Sequence, residues 1–324
     1  MQDVLIIGAG VAGLTVAREL QKVGRDVLVL EKSRGLAGRS STRTVNGVRV
    51  DHGAQYFTVR DLHFQQQVDE WLKQGHLKIW SNGFHHLTDE GLQEPEGGHP
   101  RYVFSKGMNT IGKLLGEGLN IRTETKVSRV EPKQNAWKVL SETGETFEAK
   151  TVILNMPPEQ ASALCAFDLG DIRRQLESVV MEPCFALMLG YDKRLAPDWQ
   201  GVHVDVPNSI SWIAHDSSKR DDAKETTLVL HSTPHFAREN FDKDLETVKA
   251  KLLSAFSLSS FLLPLSSSPS WTDIQRWKYA LASKFLDVPF LQHGSVYFCG
   301  DWCGGARLEA AYVSGLELAS HLSS

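Results

Sequence analysis

The stretch that decides the fold is DVLIIGAGVAGLTVARELQKVGRDVLVLE, residues 3–31. It begins with a short aliphatic run typical of a buried parallel strand, and the glycine-rich turn GAGVAG follows directly. Apolar residues then recur at helical spacing until Gly24, and a second aliphatic run ends at Glu31. A strand, a glycine turn, a helix and a second strand with a terminal carboxylate form the context in which this pattern binds a dinucleotide. We therefore predict a dinucleotide-binding βαβ unit, with a ligand-free glycine turn as the alternative.

The residues of the turn have separate tasks in such a unit. Gly8 permits the tight turn, Gly10 lets the backbone approach a pyrophosphate, and Gly13 lets the helix pack closely on the strand. The helix begins with Val11 and Ala12, where free N–H groups and the positive dipole end attract phosphate. Glu31 can accept two hydrogen bonds from a ribose diol, and its charge disfavours a 2′-phosphate.

The segment KSRGLAGRSSTR, residues 32–43, indicates which dinucleotide binds. A basic, glycine-bearing loop after the ribose-binding acid is not needed by NAD dehydrogenases. It resembles the second FAD signature of the flavin amine oxidase superfamily, in which G-G-R follows the acid. Here Ala37, Gly38 and Arg39 stand at those positions, shortly after Lys32, so one glycine is replaced. The resemblance implies that Arg39 neutralises the pyrophosphate; a solvated basic loop is the alternative.

Two further segments resemble flavin-contacting parts of the same superfamily. In DHGAQYF, residues 51–57, Gly53 and Ala54 are small enough to lie against a flat ring, while Gln55 and Tyr56 are expected to project toward the substrate. A strand-end turn with a core aromatic residue is the alternative. Near the C-terminus, CGDWCGGARLEAAYVSG spans residues 299–315.

The C-terminal segment is similar to the superfamily's last flavin motif, which runs strand, G-D, small-residue turn and helix. The resemblance places Gly300 and Asp301 at the ribityl chain or pyrophosphate edge. The first turn of the following helix is expected to point at the flavin pyrimidine; it comprises Leu308, Glu309, Ala310 and Ala311. The C-x-x-x-C spacing with no second pair nearby argues against a metal site. We expect Cys299 to be a small buried residue, whereas Cys303 lies in the loop near the flavin and its role stays open.

Three phrases narrow the resemblance: GAQYFTVRD at 53–61, RWKYAL at 276–281 and the C-terminal segment. With them, nearly the whole chain resembles the renalase family in its bacterial form. That family implies non-covalently bound FAD and a hydride transfer to it from 2- or 6-dihydro isomers of NAD(P)H. Oxygen then accepts the electrons, so the products are β-NAD(P)+ and hydrogen peroxide. The partners implied are a dihydronicotinamide dinucleotide and O2.

Aromatic residues are the candidates on the substrate side. Trp277 and Tyr279 alternate along a predicted strand and are expected to face the flavin together, and Trp302 lies beside the flavin motif. His231 ends the strand LVLHSTP and is a candidate pocket residue, although a structural role is the commoner one for a lone histidine. Hydride transfer to FAD needs positioning rather than a protein base, which agrees with the absence of a Ser-His-Asp set.

The fold class predicted is α/β (α+β): a Rossmann-like FAD-binding domain of the glutathione-reductase/amine-oxidase type with a mixed-sheet substrate domain. In this division the FAD-binding domain is discontinuous, with Val127 under the adenine and Asn155 where a strand returns to the dinucleotide. We assign residues 1–58, 100–157 and 290–324 to it, and residues 59–99 and 158–289 to the substrate domain. The segments predicted on the substrate side are a helix over 62–72 and strands at 185–189, 203–206, 210–214 and 228–231. The serine-biased segment 254–270 is expected to be a loop or a helix end.

Composition excludes several classes. The 324 residues carry a net charge of −4, which argues against general nucleic-acid binding. The longest nearly apolar run, residues 4–17, is too short to span a membrane. We expect no signal peptide, because the first residues carry neither a basic region nor a small-residue cleavage site. We expect a cytoplasmic protein that is a monomer or a weak dimer.

Two other functional hypotheses remain open from the sequence. A flavin amine oxidase or polyene desaturase would share the same FAD signatures, although many such enzymes are considerably longer. A non-catalytic, flavin-bound redox sensor is the second alternative, and the cysteines are the feature that keeps it open.

Overall fold

A computed structural model describes residues 1–195, 197–257 and 268–324 of the chain. The strands in chain order are β1 (Gln2–Ile7), β2 (Val27–Leu30), β3 (Thr42–Val45), β4 (Val48–Asp51), β5 (Leu77–Ser81), β6 (His85–Thr88), β7 (Gly91–Gln93), β8 (Arg101–Phe104), β9 (Ile121–Arg122), β10 (Val127–Lys133), β11 (Ala136–Ser141), β12 (Thr146–Leu154), β13 (Val180–Tyr191), β14 (Gly201–Val204), β15 (Ile210–His215), β16 (Thr226–Ser232), β17 (Trp271–Lys284), β18 (Leu291–His293) and β19 (Val296–Phe298).

The helices are α1 (Val11–Lys22), α2 (Leu62–Lys73), α3 (Thr110–Gly116), α4 (Pro158–Leu164), α5 (Asp171–Ser178), α6 (Pro234–Asn240), α7 (Leu245–Ser257), α8 (Asp301–Gly304) and α9 (Leu308–Ser323). A 3₁₀ turn (Asp216–Lys219) follows β15 directly. The helix predicted over 62–72 is confirmed by α2. The first part of the serine-biased segment continues α7 to Ser257, whereas residues 258–267 lie outside the described residues.

The first sheet contains the predicted βαβ unit. Its strand order is β10-β11-β12-β1-β2-β9, and β19 pairs with β12 and carries β18. β1 lies between β2 and β12 and is parallel to both; Leu5 is opposite Leu28 on one side and Val152 on the other. The last four residues of β1, Val4 to Ile7, are buried because both faces of the sheet are covered. The sheet thus joins strands that are distant in sequence.

The second sheet is mixed, as predicted for the substrate side. Its order is β17-β13-β16-β15-β14-β6-β7, and every pair is antiparallel except β14 with β6. The strands predicted at 185–189, 203–206, 210–214 and 228–231 fall within or overlap β13, β14, β15 and β16. One buried apolar cluster reaches from Val4 and Ile6 of the first sheet to Met188 and Val229 of the second. The two sheets therefore share a core, and the predicted fold class is confirmed.

The C-terminal helix packs directly on the first helix. A Cβ atom on Gly315 of α9 would lie 2.4 Å from the main-chain oxygen of Ala12 in α1. Only glycine permits this close approach of the two helix backbones, because any side chain at this position would clash with the backbone of α1. This contact brings the middle of α9 against the first turn of α1.

Candidate FAD and substrate site

The glycine turn is closed from behind by Asn155, which follows β12. The Asn155 Nδ2 atom donates to the Gly8 carbonyl at 3.1 Å. Gly8 has a φ of +105°, and a Cβ atom there would lie 2.3 Å from the Asn155 carbonyl oxygen. A Cβ atom on Gly13 would lie 2.5 Å from the Gly8 oxygen. Gly10 caps α1 without a side chain, so the first amide groups of that helix, from Val11 and Ala12, face an open cradle.

Glu31 lies at the carboxyl end of β2 with 8% of its surface exposed. One carboxylate oxygen accepts from Ala9 N and the other from Ser33 N, both at 2.8 Å. Each oxygen has a second lone-pair site, so the carboxylate retains the capacity to accept from a ribose diol. Lys32, the next residue, is exposed.

The chain between β9 and β10 runs beside Glu31. Glu31 N donates to Arg122 O, and Thr125 N donates to Glu31 O, each at 2.9 Å. Val127 follows as the first residue of β10 and is buried, with 6% exposed. The structure thus brings Val127 near Glu31.

An ion pair joins the second and last of the flavin-like segments. Arg39 Nη1 lies 2.9 Å from Asp301 Oδ2, and Nη2 lies 2.5 Å from Oδ1, so the pair is bidentate. Arg39 Nη1 also donates to Ala280 O at 3.2 Å. Although 262 residues separate them, the two side chains hold the loop after β2 against the turn after β19. Both residues were expected to contact the cofactor, but their pairing with each other was not predicted.

The position at which this chain departs from the G-G-R pattern has an unusual backbone. Ala37 has a φ of +79° and Gly38 one of +53°. The first is the left-handed region that favours glycine. Gly112 of α3 makes room for the methyl group, because a Cβ atom on Gly112 would lie 2.7 Å from Ala37 Cβ. The missing glycine is thus accommodated by a glycine on a neighbouring helix.

The turn from Asp51 to Gln55 lies against the Arg39 loop. Ala54 N donates to Arg39 O at 2.9 Å, and a Cβ atom on Gly53 would lie 1.9 Å from that oxygen. Gln55, which was expected to project toward the substrate, is buried, with 5% of its surface exposed. Its amide turns inward: Nε2 donates to Asp51 O at 2.6 Å and to Gly53 O at 3.0 Å. Gln55 therefore braces the turn from within.

The first turn of α9 is anchored by its own acidic residue. Glu309, only 5% exposed, accepts from Asp61 N at 2.8 Å and from Arg60 N. Leu308 and Ala311 are half-buried and Ala310 is buried. In the described structure no side chain caps this helix, so its N-terminal amides remain available to a ligand.

Tyr56 projects into an aromatic group formed by Tyr56, Trp80, Phe84 and Trp212. Its ring centroid is 4.8 Å from that of Phe84 and 5.7 Å from that of Trp212. Burial raises the pKa of the Tyr56 hydroxyl. Sequence reasoning missed the other three members of this aromatic group, because they come from separate elements. The alternation in ISWIAH was the signal that could have placed Trp212 on one face of β15.

Trp277 stacks on a residue that sequence reasoning did not single out. Its ring centroid is 5.4 Å from that of His52 with an interplanar angle of 14°, and its Nε1 donates to His52 O at 2.8 Å. Burial lowers the pKa of His52 to about 4 and that of His231 likewise to about 4. Within the described part of the chain, His52 Nδ1 and His231 Nε2 are buried without a hydrogen-bond partner. Both imidazoles are thus neutral near pH 7 and have one unused ring nitrogen.

Tyr279 does not join Trp277. The pairing of β17 with β13 shifts register between Cys184, opposite Trp277, and Glu182, opposite Leu281. This irregularity interrupts the alternation expected for the two rings. The Tyr279 ring instead lies 4.8 Å from Lys278 Nζ, and Lys278 pairs with Glu159 of α4.

Trp302 and the cysteines belong to the core. Trp302 is fully buried and its Nε1 donates to Met156 O at 3.0 Å, so its ring is not offered to a substrate. All four cysteines are buried free thiols. Burial raises the pKa of Cys303 to about 12 and raises that of Cys299 as well. Thiols of this kind are poor nucleophiles and poor redox sensors.

The segments described above meet at one edge of the first sheet. The glycine turn follows β1, Glu31 follows β2, Asn155 follows β12 and Asp301 follows β19. This is the edge at which open α/β sheets bind dinucleotides. A glycine cradle, a ribose acceptor, an arginine and a free helix N-terminus fit the adenosine, pyrophosphate and flavin parts of FAD. The fold and these donors define a flavoprotein oxidoreductase of the Rossmann-like class.

Comparison with known families agrees. Residues 6–74 match the family described as NAD(P)-binding Rossmann-like domain, and residues 63–323 match the flavin containing amine oxidoreductase family. The second match spans most of the chain, so this protein belongs to the flavin containing amine oxidoreductases. It is an FAD-dependent oxidoreductase.

Individual relatives point the same way. The chain is 26% identical to renalase from Mus musculus over 314 residues, covering 89% of this chain and 88% of that protein. It is also 31% identical to putrescine oxidase from Kocuria rosea, but over only 35% of this chain and 23% of that one. The predicted renalase resemblance is thereby confirmed.

Solved structures support the fold. Cyclohexylamine oxidase from Brevibacterium oxydans superposes with a TM-score of 0.79 at 13% identity, covering 99% of this chain and 98% of that one. Putrescine oxidase bound to putrescine gives a TM-score of 0.76 at 16% identity, with the same coverage. In the part of the chain that the structure describes, no helix is both long and apolar enough to cross a bilayer.

Proposed function

We propose that the protein oxidises 2- or 6-dihydro isomers of NAD(P)H. The reaction consumes one dihydronicotinamide dinucleotide, one O2 and one proton, and yields β-NAD(P)+ and H2O2. The observation that carries the proposal is the similarity to renalase along 89% of this chain and 88% of that protein. Matches to amine oxidases in sequence are local by comparison.

FAD, when bound, would supply the hydride acceptor and the route of the electrons to oxygen. The protein has to hold the ring of the hydride donor parallel and close to the flavin and to exclude water from between them. Trp277 and the aromatic group around Tyr56 offer broad apolar faces suited to a nicotinamide ring. His52 and His231 are neutral near pH 7, so each can accept or donate one hydrogen bond without adding charge.

The cofactor is proposed to be held without a covalent bond by Gly10, Glu31, Gly38, Arg39 and Asp301. In this proposal the FAD-binding domain comprises residues 1–58, 100–157 and 290–324, and residues 59–99 and 158–289 form the substrate domain. We further propose that the protein acts in the cytoplasm as a monomer or a weak dimer.

A second candidate function is oxidation of an amine. The aromatic group around Tyr56 favours it, because the same apolar faces accommodate an uncharged amine. Two of the similar proteins described above are named as amine oxidases, putrescine oxidase and cyclohexylamine oxidase.

Anaerobic stopped-flow separates the two candidates. The yellow holoprotein is mixed with 2-dihydro-NAD, 6-dihydro-NAD, putrescine or cyclohexylamine, and the oxidised flavin band at about 450 nm is followed. Rapid bleaching by a dihydro isomer, with colour restored and peroxide formed in air, is the expected result. Bleaching by an amine alone would assign the protein to the second candidate. If no compound bleaches the flavin, both proposals are wrong.

Variants connect turnover to the site. Trp277→Ala is expected to slow bleaching while FAD remains bound. Trp137→Ala is the matched control, because Trp137 lies on β11 and donates to Ser295 Oγ, away from the cradle. Equal rates in the two variants would show that Trp277 does not contact the substrate.

A further inference from the structure

Four fully or almost fully buried charges lie where the turn Asp51–Gln55 meets the second sheet. This charge quartet consists of Asp51, Asp216, Lys219 and Arg220. Asp51 ends β4, whereas the other three belong to the 3₁₀ turn after β15 and the residue that follows it. Asp216, Lys219 and Asp51 are 0% exposed and Arg220 is 6% exposed. The quartet therefore connects the turn Asp51–Gln55, which contacts the Arg39 loop, to the second sheet.

Within the charge quartet each cation lies close to both carboxylates. Lys219 Nζ lies 2.9 Å from Asp216 Oδ1 and 3.4 Å from Asp51 Oδ2. Arg220 lies 2.7 Å from Asp216 Oδ2 and 3.0 Å from Asp51 Oδ2. Desolvation would raise the pKa of Asp51, but Lys219 and Arg220 outweigh it, so the pKa is lowered. Burial raises the pKa of Asp216, against the opposing effect of Arg220 and Lys219. The formal charges of the four side chains sum to zero.

Such a set is an unusual way to stabilise a core. Each buried ion loses its hydration, and apolar side chains of similar volume often stabilise a protein as well or better. The quartet thus calls for a role besides stability. Its position supplies one, because Lys219 makes a further contact outside the set.

That further contact is with the flavin-facing turn. Lys219 Nζ lies 2.9 Å from Gln55 Oε1. The Gln55 Nε2 group donates to Asp51 O and Gly53 O, so every part of the amide is engaged. The orientation of Gln55 is therefore set by the ammonium group, and the carbonyls of the turn are set by Gln55. The same ammonium lies 5.0 Å from the ring centroid of Trp80, a member of the aromatic group.

We propose that Lys219 is a positioning residue that acts through Gln55 to fix Gly53 and Ala54 in the conformation that receives the flavin ring. Asp51, Asp216 and Arg220 balance the charge that this task requires. The inference rests on the proposed location of FAD against this turn. It does not depend on which substrate is oxidised.

The test is a double-mutant cycle on FAD affinity and on the spectrum of bound flavin. One change is Gln55→Leu, which removes the acceptor. The other is Lys219→Met together with Asp216→Asn, which removes one cation and one anion and leaves Asp51 and Arg220 paired. Each is expected to weaken FAD binding by about tenfold or more, since a hydrogen bond to a charged group is lost. The band at about 450 nm is expected to shift in both.

The cycle has a specific expected outcome. If Lys219 acts through Gln55, the protein with all three substitutions binds FAD no more weakly than the weaker of the two parents. The matched control is Lys150→Met with Asp3→Asn, the same exchanges at an exposed ion pair 2.7 Å long. It is expected to retain wild-type affinity and spectrum. Additive effects in the cycle, or wild-type affinity and spectrum in Gln55→Leu, would overturn the proposal.

Two further variants keep the result unambiguous. Should the charge-neutral variant fail to fold, Gln55→Met and Gln55→Leu decide the question, because they leave the charge quartet intact. Arg39→Gln tests the FAD site itself. If Arg39→Gln weakens FAD binding and the Gln55 variants do not, only the role of Lys219 is wrong. If neither weakens it, the proposed location of FAD is wrong.

Discussion

The indole Nε1 of Trp277 donates to the main-chain oxygen of His52 at 2.8 Å, and the two rings stack with centroids 5.4 Å apart. The long strand β17 is thereby attached to the turn that precedes Gly53 and Ala54. A residue of the second sheet thus helps to fix the turn that follows the two-stranded β3-β4 hairpin. The hydrogen bond and the stack are separable by mutation.

Trp277→Ala removes both interactions, whereas Trp277→Phe retains an aromatic face and loses only the hydrogen bond. We expect flavin reduction to slow by roughly tenfold to a hundredfold in the alanine variant, because the donor ring is held less accurately. The phenylalanine variant is expected to lie between it and wild type. Rapid-mixing reduction rates check this order; a phenylalanine variant as slow as the alanine variant would assign the effect to the hydrogen bond instead.

The bidentate pair of Arg39 and Asp301 is expected to contribute to FAD retention. Arg39→Lys keeps the charge but loses the planar fork, and Asp301→Asn removes the partner. Each is expected to raise the FAD dissociation constant by about tenfold or more. Arg174→Lys and Asp171→Asn, at a fully solvated pair, are the controls. Unchanged FAD affinity in Asp301→Asn would contradict the role proposed for the pair.

Gly13 is expected to tolerate no side chain. A Cβ atom at this position would lie 2.5 Å from both the Gly8 oxygen and Asn155 Nδ2, so Gly13→Ala must push α1 away from β1. We expect a loss of about 1–3 kcal/mol in unfolding free energy together with weaker FAD binding. Gly35→Ala is the matched control, because no heavy atom lies within 4 Å of its Cβ position. Denaturant unfolding of both variants measures the difference.

Ala37 is expected to be a site where glycine stabilises the protein. Its φ of +79° is unfavourable for an L-residue, so Ala37→Gly relieves strain worth roughly 1 kcal/mol. Ala136→Gly, at the start of β11, has no such strain to relieve and is expected to destabilise. A decrease in unfolding free energy for Ala37→Gly would show that packing of the methyl group against Gly112 outweighs the strain.

Acid is expected to destabilise the protein partly through buried histidines. His52 has a pKa lowered from 6.5 to about 4 by burial. Between these pH values the unfolded chain binds more protons than the folded one. The contribution of neutral His52 to the free energy of unfolding is therefore fully present above about pH 6.5 and is lost as the pH falls toward 4. For His52 alone the loss is at most about 3 kcal/mol. Unfolding at several pH values is expected to show a smaller slope in His52→Gln.

The exposed His63 provides the control for that measurement. His63→Gln is expected to retain the wild-type dependence of unfolding free energy on pH. A His52→Gln variant with the wild-type slope would mean that another group accounts for the acid sensitivity.

Much of the cofactor side was predictable because it is written in local patterns. The aliphatic runs, the glycine turn and Glu31 lie within 31 residues, and each has a conformational reason that needs no distant partner. The pairing of Arg39 with Asp301 was not predictable from spacing, since 262 residues separate them. Resemblance placed both near one cofactor, but their contact depends on the path of the whole chain.

The substrate side was less predictable, and the reasons are specific. Alternation predicted that Trp277 and Tyr279 share a face, but the register against β13 shifts between Trp277 and Leu281, and the two rings contact different residues. Proximity in sequence to the flavin motif suggested Trp302, whereas its indole satisfies Met156 O inside the core. Gln55 was expected to face the substrate, and its hydrogen bond to the buried ammonium of Lys219, 164 residues away, could not be predicted from the sequence.

The sequence by itself determined the βαβ unit, the ribose acceptor and the FAD-type loop, because turn geometry and strand burial follow from residues that are neighbours in the chain. The tertiary structure alone decided which side chains meet at the substrate face. The aromatic group around Tyr56, the stack of Trp277 on His52 and the charge quartet each combine residues from separate elements. Their geometry depends on the pairing of strands that are distant in sequence and on the packing of two sheets on a shared core, so residues that are neighbours in the chain do not reveal it.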